Sequence, residues 1–303
     1  GAACGVRQPG SVGRLMARRK PATTHGIAVV DKPPGVTSHD VVGMLRRRFG
    51  ERQVGHAGTL DPDATGVLVV AVGRATRLLR FVEKTRKGYT GEVVLGTSTS
   101  TLDSAGDVLD SFDMTAVTLD DARRAVDEHL MGDIEQIPPM VSAIRVNGKR
   151  LHELAREGIE IERAPRPVTI HRFDVTGWVA PEVLSIVVEC SAGTYIRTLA
   201  DDLGRLLGGG AHLRNLRRTH VGAFTIAEAG PPDECELLPV ASAVRSLTVV
   251  TVDDAVAALV ANGRVLDAWD GDGPWAVFDG TGELLAVYEA FSGQAKPAVV
   301  LRN

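Results

Sequence analysis

Apolar and polar positions along this chain switch repeatedly between strand and helix spacing. Gly26-Ile27-Ala28-Val29-Val30 and Val67–Val72 are short unbroken apolar runs, as in strands buried on both faces. Two further strands are expected around Val168–Val175 and Val183–Glu189, the second alternating as a half-buried strand does. Helical spacing appears at Val41, Val42, Leu45 and Phe49, predicting a helix that Ser38 caps and Gly50 stops. A second helix is expected from Leu119 to Leu130, with Asp120 and Asp121 in its first turn. A third begins near Thr194, and Gly73–Leu78 reads as a short basic helix. Lys87–Gly96 is a strand with Tyr89 near its head, and Gly208-Gly209-Gly210 turns into a basic strand. The polar stretch from Thr97 to Asp113 reads as a solvated connection. Pro33-Pro34-Gly35 and Asn147-Gly148 mark turns.

A proline-marked acidic boundary, Pro231–Glu234, separates this part from a different pattern. Beyond about residue 247 the chain carries short strands at Val249–Val252, Trp275–Phe278, Leu284–Tyr288 and Pro297–Leu301, with a helix near Asp254–Ala261. Residues 1–24, rich in Gly, Ala, Arg and Pro, read as a disordered leader, with Met16 as a candidate start. With 303 residues the chain has room for one large domain and a small one.

Composition narrows the function. Hydrophobic residues make up 44% of the chain, enough for a core, while 4% aromatics argues against recognition through many stacked rings. No apolar run reaches the roughly 18 residues needed to span a membrane. Cys4, Cys190 and Cys235 lie far apart, in no CxxC pair and with no His at zinc spacing, which reads as reduced thiols in the cytoplasm. The net charge of −4 is unevenly spread. Residues 1–98 hold 16 cations against 7 anions and residues 194–227 hold 5 against 2, whereas 228–303 hold 4 against 12. Cations gathered in two stretches suit a protein that grips phosphates there, although a solvated basic helix face has the same composition.

Gly55-His56-Ala57-Gly58-Thr59-Leu60-Asp61-Pro62-Asp63-Ala64-Thr65-Gly66 precedes the buried strand at Val67. A carboxylate on a Gly/Pro-stiffened turn at the head of a buried strand is well placed to present a catalytic group. It is equally what an Asp that merely caps turn N–H groups looks like.

This stretch resembles the catalytic motif of the TruB family of tRNA pseudouridine synthases, with Asp61 in the slot of the essential aspartate; Asp63 stands where the family usually has an apolar residue. Other segments resemble the family in the same order, over about residues 25–227. Asp31-Lys32-Pro33-Pro34-Gly35-Val36-Thr37-Ser38 resembles its opening motif, and Lys87-Gly88-Tyr89 its Lys-x-Tyr. Pro138–Gly148 resembles its Pro-Pro-x-x-Ser-Ala segment, with Arg145 for the common Lys and His152 for the usual Tyr. Gly193-Thr194-Tyr195-Ile196-Arg197 and Gly210-Ala211-His212 through Leu216-Arg217-Arg218 are similar to its last two motifs.

The resemblance implies an α+β pseudouridine synthase fold: a mixed, mostly antiparallel sheet flanked by helices around a central cleft. A catalytic domain over 25–230 would precede a small β-rich PUA-like module over 247–303. It implies isomerisation of uridine 55 in the tRNA T-arm loop, with the base flipped out of the stack. Asp61 would be nucleophile or base at the sugar, and Arg197 would pair with it and keep it ionised. Tyr89 and Tyr195 would line the pocket, with Tyr89 a candidate to take the C5 proton. Leu216 would touch the base, and His56 would sit beside the flipped nucleotide. Arg46, Arg52, Arg74, Arg77, Arg217 and Arg218 would be candidates for phosphate contacts. The implied chemistry needs no cofactor and no metal, and the expected state is a monomer binding tRNA. Two rival functions are a tRNA-folding chaperone without chemistry, and a nucleoside hydrolase that would need a second carboxylate.

Overall fold

The computed structural model describes residues 22–142, 145–146, 149–150, 159 and 161–301. In chain order, β1 (Gly26–Lys32), α1 (Ser38–Arg48), β2 (Val54–His56) and β3 (Thr65–Val72) come first. A 3-10 turn (Gly73–Leu78) and the short α2 (Leu79–Glu83) then lead into β4 (Lys87–Leu95). Next are β5 (Thr97–Thr99), β6 (Val108–Ser111), α3 (Leu119–His129), β7 (Gly132–Gln136) and the short β8 (Arg145–Val146) and β9 (Lys149–Arg150). The long pair β10 (Arg166–Ala180) and β11 (Val183–Cys190) precedes α4 (Ile196–Leu206), β12 (Ala211–Val221) and β13 (Phe224–Thr225). The C-terminal part holds β14 (Thr248–Thr251), α5 (Asp254–Ala261), β15 (Leu266–Asp267), β16 (Trp275–Phe278), β17 (Leu284–Phe291) and β18 (Gln294–Val300).

The large sheet has nine strands, in the order β1-β3-β12-β4-β11-β10-β7, with β2 on β3 and β13 on β12. Its pairs are antiparallel except β3 with β12, so the expected mixed, mostly antiparallel sheet is what forms. The unbroken apolar run of β3 follows from its central position. Val67, Val69 and Ala71 pack into a core on one face, Leu68, Val70 and Val72 into a core shared with Val41, Val42 and Leu45 of α1 on the other. A third core lies between β4, β10, β11, β12 and the helices α3 and α4, through Ala122, Val126, Leu199 and Leu203.

A separate five-stranded sheet, β14-β16-β17-β18-β15, forms the C-terminal β-rich part. It shares a core with the large sheet: Ala276, Leu284, Val287, Val299 and Leu301 join Ile27, Val69, Leu78, Phe81 and Phe224 in one apolar cluster.

Three local expectations are corrected. Thr37, not Ser38, caps α1, in a capping box where its hydroxyl accepts from Asp40 N and its own N–H donates to the Asp40 carboxylate. The supposed solvated connection after Thr97 contains the β5–β6 hairpin. Residues 22–24 of the expected leader are among those described, and Thr23 N donates to Glu51 Oε2 at 3.1 Å. Residues 1–21, the side chain of Arg145 and all of His152 lie outside the described residues.

Candidate active site

Asp61 stands on the loop between β2 and β3, and the loop is pinned from three sides. From α1, buried Ser38 donates its hydroxyl to Leu60 O (3.0 Å) and accepts from Leu60 N (2.8 Å). From the end of β1, Lys32 Nζ donates to Pro33 O, Val36 O and Pro62 O at 2.6–2.9 Å, and burial lowers its pKa to about 8. From β12, Arg218 donates to Val67 O (2.7 Å), Gly58 O (3.1 Å) and Thr59 O (3.4 Å). Close approach to Arg218 is what demands glycine at position 66: its φ is +99°, and a Cβ there would collide with the Arg218 backbone.

Arg197 enters from the first turn of α4. Its Nε lies 3.0 Å from Asp61 Oδ2 and 3.6 Å from Asp103 Oδ2, while Nη1 and Nη2 donate to Thr101 O (2.8 Å) and Val141 O (2.9 Å). The guanidinium is 4% exposed and held on every side, so it fixes the direction of the Asp61 carboxylate as well as its charge. Asp61 keeps 42% of its side-chain surface, but that surface opens into a cleft walled by protein. The net effect on Asp61 is opposite to expectation. Burial raises its pKa above the ordinary carboxylate value; Arg197 opposes the rise and Asp103 adds to it.

Asp103 was not legible as a site residue. It lies in a Thr/Ser/Asp-rich stretch that reads as solvated, and only the return of that hairpin onto β12 (Ser104 N to Leu213 O, 3.1 Å) carries it to Arg197.

Asp61, Arg197 and Leu216 stand between two hollows. One is lined by Gly58, Lys87, Tyr89, Tyr195 and Arg218 among others, the second by Thr101, Asp103, Ser104, Val141 and Asn215 among others. Tyr195 is the N-cap residue of α4, held by Gln136, which accepts from its N–H at 2.7 Å and donates to its carbonyl at 3.0 Å. Tyr89 is buried beside Arg218, to which it hydrogen-bonds; burial raises its phenol pKa, so it is protonated at neutral pH and a poor base in that state.

Other candidates stand elsewhere. His56, at the end of β2, lines neither hollow; its Nδ1 is buried without a partner, and burial followed by Arg218 lowers its pKa. Arg218 is 1% exposed and cannot face a phosphate. Arg217 makes a two-pronged pair with Asp31 (2.8 and 3.1 Å) that ties β12 to β1. Arg74 and Arg77 turn toward the C-terminal part, Arg74 3.9 Å from Glu283 and Arg77 donating to Val300 O at 2.6 Å. Arg46 and Arg52 are exposed at and after the end of α1. Among the described residues no cluster of three His, Cys, Asp or Glu could hold a metal ion, and no helix is long and apolar enough to cross a membrane.

The family model described as TruB family pseudouridylate synthase (N terminal domain) matches residues 46–196. The tRNA pseudouridylate synthase B C-terminal domain matches residues 197–234, and tRNA Pseudouridine synthase II, C terminal, matches 247–302. A tRNA pseudouridine synthase B of Arthrobacter sp. (strain FB24) is 46% identical over 296 residues, covering 91% of this chain and 96% of that protein. The chain belongs to the TruB family. The tRNA pseudouridine synthase B of Mycobacterium tuberculosis (strain CDC 1551 / Oshkosh), at 42% identity over 93% of this chain and 97% of its own length, agrees. Membership makes this chain a pseudouridine-forming isomerase. Among solved structures, a Cbf5-Nop10-Gar1 complex contains a similar chain, with 25% identity and a TM-score of 0.69 over 91% of this chain and 84% of that one. An H/ACA RNP bound to a substrate RNA gives 0.65 at 25% identity, over 88% and 78%. The fold of this TruB-family chain is thus the pseudouridine synthase fold with a C-terminal β-rich domain.

Proposed function

We propose that this TruB-family chain converts uridine 55 of the tRNA T-arm loop to pseudouridine, with Asp61 as the catalytic residue. The observation that carries the reading is the Arg197–Asp61 pair at the junction of two hollows, a fixed carboxylate with room on either side. The uridine is flipped out of the loop so that its ribose meets Asp61 and its base enters the hollow lined by Tyr89, Tyr195 and Leu216. Asp61 acts as nucleophile at C1′ or as base at the sugar. In either route N1–C1′ breaks with its electrons on the uracil, the base turns, C5 bonds to C1′, and the C5 proton leaves to solvent while N1 takes one up. Tyr89, protonated and tied to Arg218, packs against the base rather than removing that proton.

The same reading takes tRNA as partner, with Arg46 and Arg52 near phosphates, a monomer as the working unit and the cytoplasm as its place. Free, buried Cys190 and Cys235 are consistent with reduced thiols. We read 25–230 as the catalytic domain and 247–303 as a PUA-like module. Asp103, 3.6 Å from Arg197 Nε and lining the second hollow, is a second carboxylate of the kind a hydrolase would need, so product analysis has to separate the two reactions. The test is to map pseudouridine on a full tRNA transcript by carbodiimide-dependent primer-extension stops. One stop at position 55, lost when that uridine is replaced by cytidine, is expected. Stops elsewhere would overturn the site assignment, and release of free uracil would favour hydrolysis.

A further inference from the structure

The hollow beside Tyr89 ends on Lys87, a side chain that the chemistry above leaves without a task. Lys87 and Tyr89 are two apart on β4 and therefore point to the same face, both lining that hollow together with Arg218 from the neighbouring strand β12. Lys87 is 6% exposed. Two of its ammonium protons go to main-chain carbonyls at the end of α2, Glu83 O at 2.6 Å and Thr85 O at 3.1 Å. The third has no acceptor among the described residues. Arg218, the other cation lining this hollow, uses one N–H on each of its three nitrogens to hold Gly58 O, Thr59 O and Val67 O, which fixes its guanidinium against the Asp61 loop and β3. Lys87 is thus a buried cation of this hollow with a proton to offer.

What the hollow must hold is defined by the reaction, so the role of Lys87 rests on the proposed function. When N1–C1′ breaks, both bonding electrons stay on the base, and the uracil carries a negative charge spread over its ring nitrogens and exocyclic oxygens. It must keep that charge while it turns within the pocket. We propose that Lys87 is a catalytic residue that stabilises the detached uracil anion, donating its spare N–H to an exocyclic oxygen of the base. The lysine keeps its three protons throughout. The charge is discharged when C5 returns its electrons to C1′; the C5 proton is then lost to solvent while N1 takes one up, which leaves the product neutral. A fixed donor in a protein-walled pocket suits such a task, because it meets charge that appears only during reaction.

Charges facing Lys87 from each packed element set its own state. Burial dominates and Arg218 adds to it, together lowering the pKa to about 8; Cys190 of β11 and Glu83 of α2 pull the other way. The cation is the form required, so activity is present below that value and lost above it.

The test is single-turnover pseudouridine formation on a T-arm stem-loop by wild type, Lys87→Gln and Lys87→Arg from pH 6 to 10, with RNA affinity and thermal unfolding measured alongside. Wild type is expected to lose rate above about pH 8 while its RNA affinity falls no more steeply than that of the variants. Lys87→Gln should be slower by about 10²-fold at pH 7, with RNA affinity within twofold. Lys87→Arg should recover most of that rate and move the alkaline fall to higher pH. A merely structural lysine would change unfolding without moving the pH profile. Lys87→Gln as fast as wild type, or the same alkaline fall in Lys87→Arg, would overturn the role of Lys87 and leave the proposed function standing. A wild type that forms no pseudouridine would overturn both.

Discussion

Arg197 reaches Asp61 through Nε at 3.0 Å while Nη1 and Nη2 are fixed on the carbonyls of Thr101 and Val141. Three strands of chain far apart in sequence therefore converge on one guanidinium, and its position is set before any substrate arrives. Pairing alone would leave the carboxylate mobile; clamping gives it a direction.

The same cluster sets the pH dependence. Asp61 must be ionised to act at the sugar, so activity is present above its pKa and lost as pH falls through it. Burial moves that fall to higher pH than an ordinary aspartate would give. Asp103→Asn removes a like charge and is expected to shift the acid limb of kcat to lower pH. Arg197→Gln removes the opposing charge and is expected to shift it higher, with a rate loss of about 10²-fold or more. Two limbs that move in the same direction would contradict this electrostatic assignment.

Ser38 and Arg218 hold the loop that carries Asp61. Ser38→Ala leaves Leu60 N and O without their partner and is expected to cost about 1–3 kcal/mol, with a larger fall in kcat than change in KM. Arg218→Met strips two loop carbonyls and the Val67 carbonyl of β3 of their donor and should lower the melting temperature by several degrees while nearly abolishing activity. Calorimetry beside steady-state kinetics checks both.

How much of this was legible follows from what local sequence can encode. The β3 run, the α1 spacing and the Gly/Pro frame of the Asp61 loop are local signals, and they appear where the pattern places them. Asp103 carries no such signal, since its role depends on a hairpin folding back on β12. Arg218 and Arg74 look like free cations in sequence. Only the packing shows one buried under the loop and the other turned to the C-terminal sheet. Ser38 has the residue type of a cap, but Thr37, one residue earlier, takes that position and frees Ser38 for the loop.

The C-terminal sheet shares its apolar cluster with β1, β3 and α2, and Arg80 adds a contact to Glu289 at 3.4 Å. Thermal unfolding should therefore show one transition for the whole chain. Val287→Asp, which places a charge at a fully buried position of that cluster, should lower this single transition by several kcal/mol. Two well-separated transitions in the wild type would refute a common core.

Salt dependence separates the arginines. Arg46→Ala and Arg52→Ala, on exposed cations, should each reduce the slope of log K for tRNA against log salt by about one. Arg77→Ala should leave the slope unchanged, because its guanidinium is turned to the C-terminal sheet at Val300 O. Filter binding between about 50 and 200 mM salt reads this directly.

Asp61 as the residue that drives isomerisation of a tRNA uridine is open to direct test. Tritium release from a transcript carrying uridine labelled at C5 tests it most directly, with wild type and Asp61→Asn side by side. The expected result is release by the wild type and none by the variant, with tRNA affinity retained in both. Equal release from both proteins, or none from a wild type that still binds tRNA tightly, would contradict it.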